Sequence, residues 1–178
     1  LKKFLLMMII MLIGVVVVAC GKEDVEITLP ASMFKDQDAD TIISEAKKDG
    51  VEDVVSNSDG SFTYKMSKAK HKEMLEEMKT SILGTIEETK TSEEFASIEE
   101  ITSNKDFTEF TMVVEKGKFE SSFDGFAAMG LGISGIYYQT FNGVKEDKVK
   151  ATIIVKDKES GETIDTIVYP DDLNQQNK

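Results

Sequence analysis

Four features of the chain carry residue types able to do chemistry. Cys20 is the only cysteine, and a lone thiol can be a nucleophile, half of an intermolecular disulfide, or an attachment point. Gly130-Leu131-Gly132-Ile133-Ser134-Gly135 spells G-x-G-x-x-G. In a dinucleotide site those glycines open a helix directly after a strand, with an acid about 20 residues further on. Asp36, Asp38 and Asp40 alternate like the ligands of a calcium loop. His71 is the single histidine.

Three of the four are weakened by their surroundings. The glycine motif sits inside an apolar helical pattern of Phe119, Phe123, Phe126, Met129, Ile133, Ile136 and Tyr137. Ser122, Gly125, Ala128, Gly132 and Gly135 read instead as a flat stripe that lets a helix approach its neighbour closely. Glycine costs a helix about 1 kcal/mol each time, so this helix is expected to be the most buried one. A calcium loop would require Gly at Thr41 and Glu at Lys47, and capping of a helix start is the default role for these aspartates. His71 lies between Lys70 and Lys72 on a charged helix face with no nucleophile or orienting acid implied; it reads as a solvated surface residue. No catalytic residue, no metal ligand and no cofactor is assigned.

Cys20 has a different context. Lys2 and Lys3 precede fifteen uncharged residues, Phe4 to Val18, and the run closes on Val17-Val18-Ala19-Cys20-Gly21. A positive start, an apolar stretch and a small residue at the cut make a secretory signal. The segment resembles a bacterial lipoprotein signal, which implies cleavage between Ala19 and Cys20 and acylation of Cys20. A retained transmembrane anchor is the competing reading, but fifteen residues are short for a hydrocarbon core that takes about 20. Leu1 reads as an initiator codon translated literally. The expectation is a protein anchored by lipid on the outer, extracytoplasmic face of the cell membrane, where nicotinamide cofactors are scarce.

Removing residues 1–20 takes away Lys2 and Lys3 and no acid, so the net charge of −12 becomes −14. Every basic side chain is lysine. Nucleic-acid binding needs a basic surface to neutralise phosphates, and that class is excluded. Direct docking on anionic headgroups is disfavoured for the same reason, leaving the membrane as a partner only through N-terminal acyl chains. After the signal, residues 21–25 form a tether of at most ~18 Å, residues 26–173 suit one domain, and residues 174–178 read as a frayed, disordered tail.

The rest of the chain alternates two periodicities. Val25–Leu29 has strand spacing, and a short helix follows the aspartates and ends at Gly50. Val51–Val55 and Phe62–Met66 flank Asn57-Ser58-Asp59-Gly60 as a hairpin. Ser67 starts the clearest helix, with Ala69, Met74, Leu75, Met78, Ile82, Leu83 and Ile86 on one stripe to about Thr89. Ile98–Thr102 and Phe107–Val114 form a second hairpin, offset by 47 residues from the first in its opening strand and turn. A third helix, about Lys118 to Phe141, precedes a hairpin of Val149–Lys156 and Thr163–Tyr169. The predicted fold is α+β: three amphipathic helices packed on an antiparallel sheet of six or seven strands. The pattern allows repeated helix–hairpin units.

The aromatic set Phe119, Phe123, Phe126, Tyr137, Tyr138 and Phe141 is either core or the wall of an apolar pocket. Met129, Tyr137 and Tyr138 are the candidate binding face, to be recognised by joint exposure.

Several stretches taken together carry a resemblance over almost the whole mature chain. They are Leu29-Pro30-Ala31-Ser32-Met33-Phe34, Met66 to Met74, Asn104-Lys105-Asp106-Phe107-Thr108-Glu109-Phe110, Phe119 to Phe126, and Val168-Tyr169-Pro170. They are similar to small uncharacterised lipoproteins of Gram-positive bacteria. That resemblance implies location, and the family carries no established activity. The expected function is non-enzymatic: binding an envelope protein partner or modulating an envelope process. A carrier or sensor of a small apolar ligand is second, and hydrolysis by paired carboxylates third.

Overall fold

Alternation of apolar and polar residues builds seven strands, and the turns between them set how they pair. The computed structural model describes residues 24–35 and 37–172. The readings placed on Ala19, Cys20, Asp36 and the C-terminal tail lie outside the described residues. In chain order the strands are β1 (Asp24–Leu29), β2 (Asp53–Ser56), β3 (Phe62–Ser67), β4 (Ile98–Ser103), β5 (Glu109–Val114), β6 (Ala151–Asp157) and β7 (Thr163–Tyr169). The helices are α1 (Ala39–Lys48), α2 (Lys68–Thr91), α3 (Lys116–Glu120) and α4 (Gly125–Phe141).

The α+β class holds, but the single sheet does not. Strands β1-β3-β2 form one antiparallel sheet and β4-β5-β6-β7 form another. All three expected hairpins are present as antiparallel pairs. Between the second and third hairpins, however, β5 and β6 run parallel. A connection through a helix returns the chain to the end where β5 began, so the next strand enters in the same direction. The two sheets are separated because α2, at 24 residues, is about 36 Å long and carries the chain from one to the other.

Helix α2 therefore serves two cores. Its first half lays Met74, Leu75 and Met78 on the first sheet beside Met66, Tyr64 and Ile27. Its second half buries Ile82 and Ile86 against Ile98, Ile101 and Met112 of the second. Leu83, assigned to the buried stripe from its spacing, is exposed. Local signals behave as their chemistry requires: Asp38 caps α1 by accepting the Thr41 amide at 3.0 Å, and Gly50 takes a positive φ just past the helix end.

The 47-residue offset has a structural counterpart. The Gly60 amide donates to the Asn57 carbonyl, as the Phe107 amide does to Asn104, and both Gly60 and Phe107 have positive φ. The two turns then diverge by one residue, since Ser56 pairs with Phe62 whereas Ser103 pairs with Phe110.

The third helix is also broken. Residues 121–124 interrupt it, leaving the single-turn α3 before α4. The Ser121 hydroxyl donates back to the Gly117 carbonyl and the Ser122 hydroxyl to Phe119, while the Asp124 amide turns to the Ser122 oxygen. Short polar side chains competing for backbone groups end a helix in this way.

Candidate functional site: the outer face of the last helix

Helix α4 contains no charged residue, in a chain where 30% of residues are charged. Eight of its 17 residues are buried, against three of 24 in α2, as its glycines led us to expect. The side it buries is the small one. Ala128, Gly132 and Gly135 meet the second sheet, and a Cβ on Gly132 would collide with the Tyr169 ring. A Cβ on Gly135 would collide with the Phe107 carbonyl, with Phe110 and Ala151 close behind. The G-x-G-x-x-G sequence is thus mid-helix packing, with Gly130 facing open space. No strand leads into it and no turn lies at its glycines, so the requirements of a phosphate-binding turn are unmet.

Buried Gln139 fixes the other end of this face. Its Nε2 is 3.2 Å from the Phe107 carbonyl, 3.1 Å from Gly135 and 3.0 Å from Lys150, and its Oε1 accepts the Lys150 amide. Where the helix ends, the His71 Nε2–H donates to the Phe141 carbonyl at 2.9 Å, and the two rings lie 5.7 Å apart. His71 is therefore half-buried and holds α2 to α4; it is not the solvated residue its lysine neighbours suggested.

Packing the small side inward turns the large side out. At 100° per residue, Phe126, Gly130, Ile133 and Tyr137 share one stripe opposite Gly135. Phe126 is 61% exposed and Tyr137 43%. Phe123, just before the helix, is 83% exposed and stacks on Phe126 with ring centroids 6.1 Å apart. These two phenylalanines, for which the sequence allows core or the wall of a pocket, are not core and forgo about 2 kcal/mol each of burial. Of the three residues proposed as a face, only Tyr137 is exposed. Met129 and Tyr138 are half-buried against the second core, and the Tyr138 ring sits edge-on to Phe107 at 4.9 Å. Burial pushes the Tyr138 phenol above its usual pKa, with smaller contributions from Asp106 and Glu76.

At its N-terminal end the face opens into a groove of about 670 Å³ between α4 and β7. Phe123, Phe126 and Met129 line one wall, and Asp165, Ile167 and Tyr169 the other. Between Phe123 and Gly125 in the chain, Asp124 is 4% exposed and accepts both the amide and the hydroxyl of Ser97. Burial works against its ionised form, but the Ser97 hydroxyl and amide and the Ser122 hydroxyl outweigh that and hold the carboxyl below its ordinary pKa. This link anchors the start of α4 to the segment before β4.

Other shifted acids answer to local partners. The Ser61 hydroxyl lowers Asp59, the Ser160 hydroxyl lowers Asp157, and Lys118 lowers Glu115. Among the described residues, no group of three or more His, Cys, Asp or Glu side chains is placed to hold a metal ion, and no described helix is long and apolar enough to cross a membrane. No family model, curated protein or solved structure matches this chain.

Proposed function

We propose that this is an extracytoplasmic lipoprotein, tethered through Cys20, that acts by presenting the outer face of α4 to a protein partner. One observation carries the reading: the least charged helix packs Gly132 and Gly135 inward and leaves Phe123, Phe126 and Tyr137 in water. Exposed aromatics grouped on one face are the composition of an interface centre. The resemblance to Gram-positive lipoproteins and the residues around Cys20 support the location. A carrier of a small apolar ligand ranks second. The groove beside Phe126 and Met129 has the volume for one, but it is open and flanked by carboxylates, where binding sites for apolar molecules bury most of the ligand's surface.

A photo-activatable phenylalanine analogue at position 126, expressed in the host with Cys20 intact or as Cys20→Ala, tests both parts. A discrete crosslinked adduct is expected in the membrane fraction with Cys20 intact, and its loss with Cys20→Ala. The analogue at Val55, exposed on the first sheet, should give no such adduct. Equal adducts at 126 and 55, or none at 126, would overturn the reading.

A further inference from the structure

The partner's chemistry can be narrowed by what surrounds the aromatic pair. The groove has ten lining residues and only two of them are charged, Asp165 and Asp172. Both are acids, and no lysine lines it. The field of these carboxylates reaches the tyrosine on the same wall: the Tyr169 phenol is raised above its usual pKa by burial, and further by Asp172 and Asp165.

The same two aspartates also exclude one mode of binding. Strand β7 is the edge of its sheet, where an incoming strand could add. Asp165 Oδ1 accepts the Thr166 amide at 2.7 Å, and Asp172 accepts the Val168 amide at 2.6 Å. Two backbone donors of β7 are already taken, so the edge is blunted. What remains is a mixed groove with Phe123, Phe126 and Met129 on the α4 side and acids on the β7 side, on which an amphipathic segment can seat its apolar side chains along one wall and its charged ones along the other.

We infer that the groove between α4 and β7 receives a cationic amphipathic segment of a protein partner, whose apolar side chains seat on Phe123, Phe126 and Met129 while its lysines or arginines face Asp165 and Asp172. This deepens the reading given above and rests on it. Charge complementarity decides the sign: a chain of net charge −12 repels an acidic or self-like segment at long range and steers a basic one inward. A second copy of this chain would bring the same acids to the same groove.

The chain has no tryptophan, so a peptide carrying one tryptophan is the only indole present, and its emission in the same detergent without protein is the baseline for binding. The probe is an 18-residue amphipathic Leu/Lys peptide with a central tryptophan, titrated against the full chain in non-ionic detergent, beside a Leu/Glu peptide of the same apolar pattern. Saturable binding with a blue-shifted emission is expected for the lysine peptide alone. Phe126→Ser should weaken it about tenfold or more, and Asp165→Asn several-fold, with the Asp165 effect fading at high salt. Glu77→Gln, on the exposed acidic side of α2, should leave it unchanged. No binding, equal binding of both peptides, or equal weakening by Glu77→Gln would overturn the inference. If the position-126 adduct still forms in the envelope, the partner-binding reading survives that failure; if the adduct is also absent, both fall.

Discussion

Gly135→Val should destabilise the protein by about 3 kcal/mol or more, a large share of the 5–15 kcal/mol that holds a typical domain folded. The Cβ it adds meets the Phe107 carbonyl, which is backbone held within reach of Gln139 Nε2 and cannot swing aside as a side-chain tip would. Phe107 itself is buried and at positive φ, so moving that carbonyl disturbs a residue with few conformations open to it. Overpacking usually costs about 1–3 kcal/mol, and a β-branched residue recovers little helix propensity over glycine. Gly130→Ala is the paired control. It adds a methyl with nothing within 4 Å and should stabilise by up to ~1 kcal/mol. Chemical denaturation followed by circular dichroism should move the two midpoints in opposite directions. If both substitutions shift stability alike, α4 does not pack on its glycines.

The second large effect is expected at Asp124. Asp124→Ala removes the acceptor for the Ser97 amide and hydroxyl, which are themselves buried. Buried donors left without partners and a lost charge-assisted bond together cost about 3 kcal/mol. The pH dependence follows from the direction of its shift. The carboxyl is held lower in the folded protein than in the unfolded chain, where it lies near 3.9. Its stabilisation is therefore complete above about pH 4 and is lost as pH falls through the folded value. Asp124→Asn keeps an acceptor oxygen but not the titration. The stability gap between wild type and Asp124→Asn should narrow below about pH 4. A gap of constant size from pH 7 to 3 would show that the ionised form is not what Ser97 binds.

Much of the local architecture was legible because its causes are local. Turn chemistry at Asn57–Gly60 and Asn104–Asp106, the cap at Asp38 and the stop at Gly50 each depend on a few adjacent residues. The sheet count was not legible. Which hairpin lies beside which is set by the length of α2 and by the parallel return from β5 to β6, and no short stretch encodes either. In the third helix the small-residue stripe holds at Ala128, Gly132 and Gly135 and fails at Ser122 and Gly125, which are exposed, and the apolar stripe fails at Phe123, Phe126 and Tyr137. An apolar helix without a polar side gives periodicity no direction to choose. Hydrophobicity alone leaves Phe123 and Phe126 as core or pocket wall, whereas the close approach of Gly132 to Tyr169 and of Gly135 to Phe107 decides the rotation. Both glycines were already recognised as a packing stripe, and a helix cannot turn that stripe and the opposite one to the same neighbour. The Ser97–Asp124 and Gln139–Lys150 links left no signal, because each joins residues at least 11 positions apart with unremarkable neighbours.

The central claim is that the aromatic side of α4 is uncovered in the isolated protein and covered where the protein works. Phe126→Cys places a thiol on that side, and the acylation proposed for Cys20 would leave it the one free thiol. The maleimide labelling rate of this thiol should be high in the purified protein and fall about tenfold or more in intact envelopes, while Val55→Cys labels equally fast in both. Equal labelling of position 126 in the two settings would contradict the account.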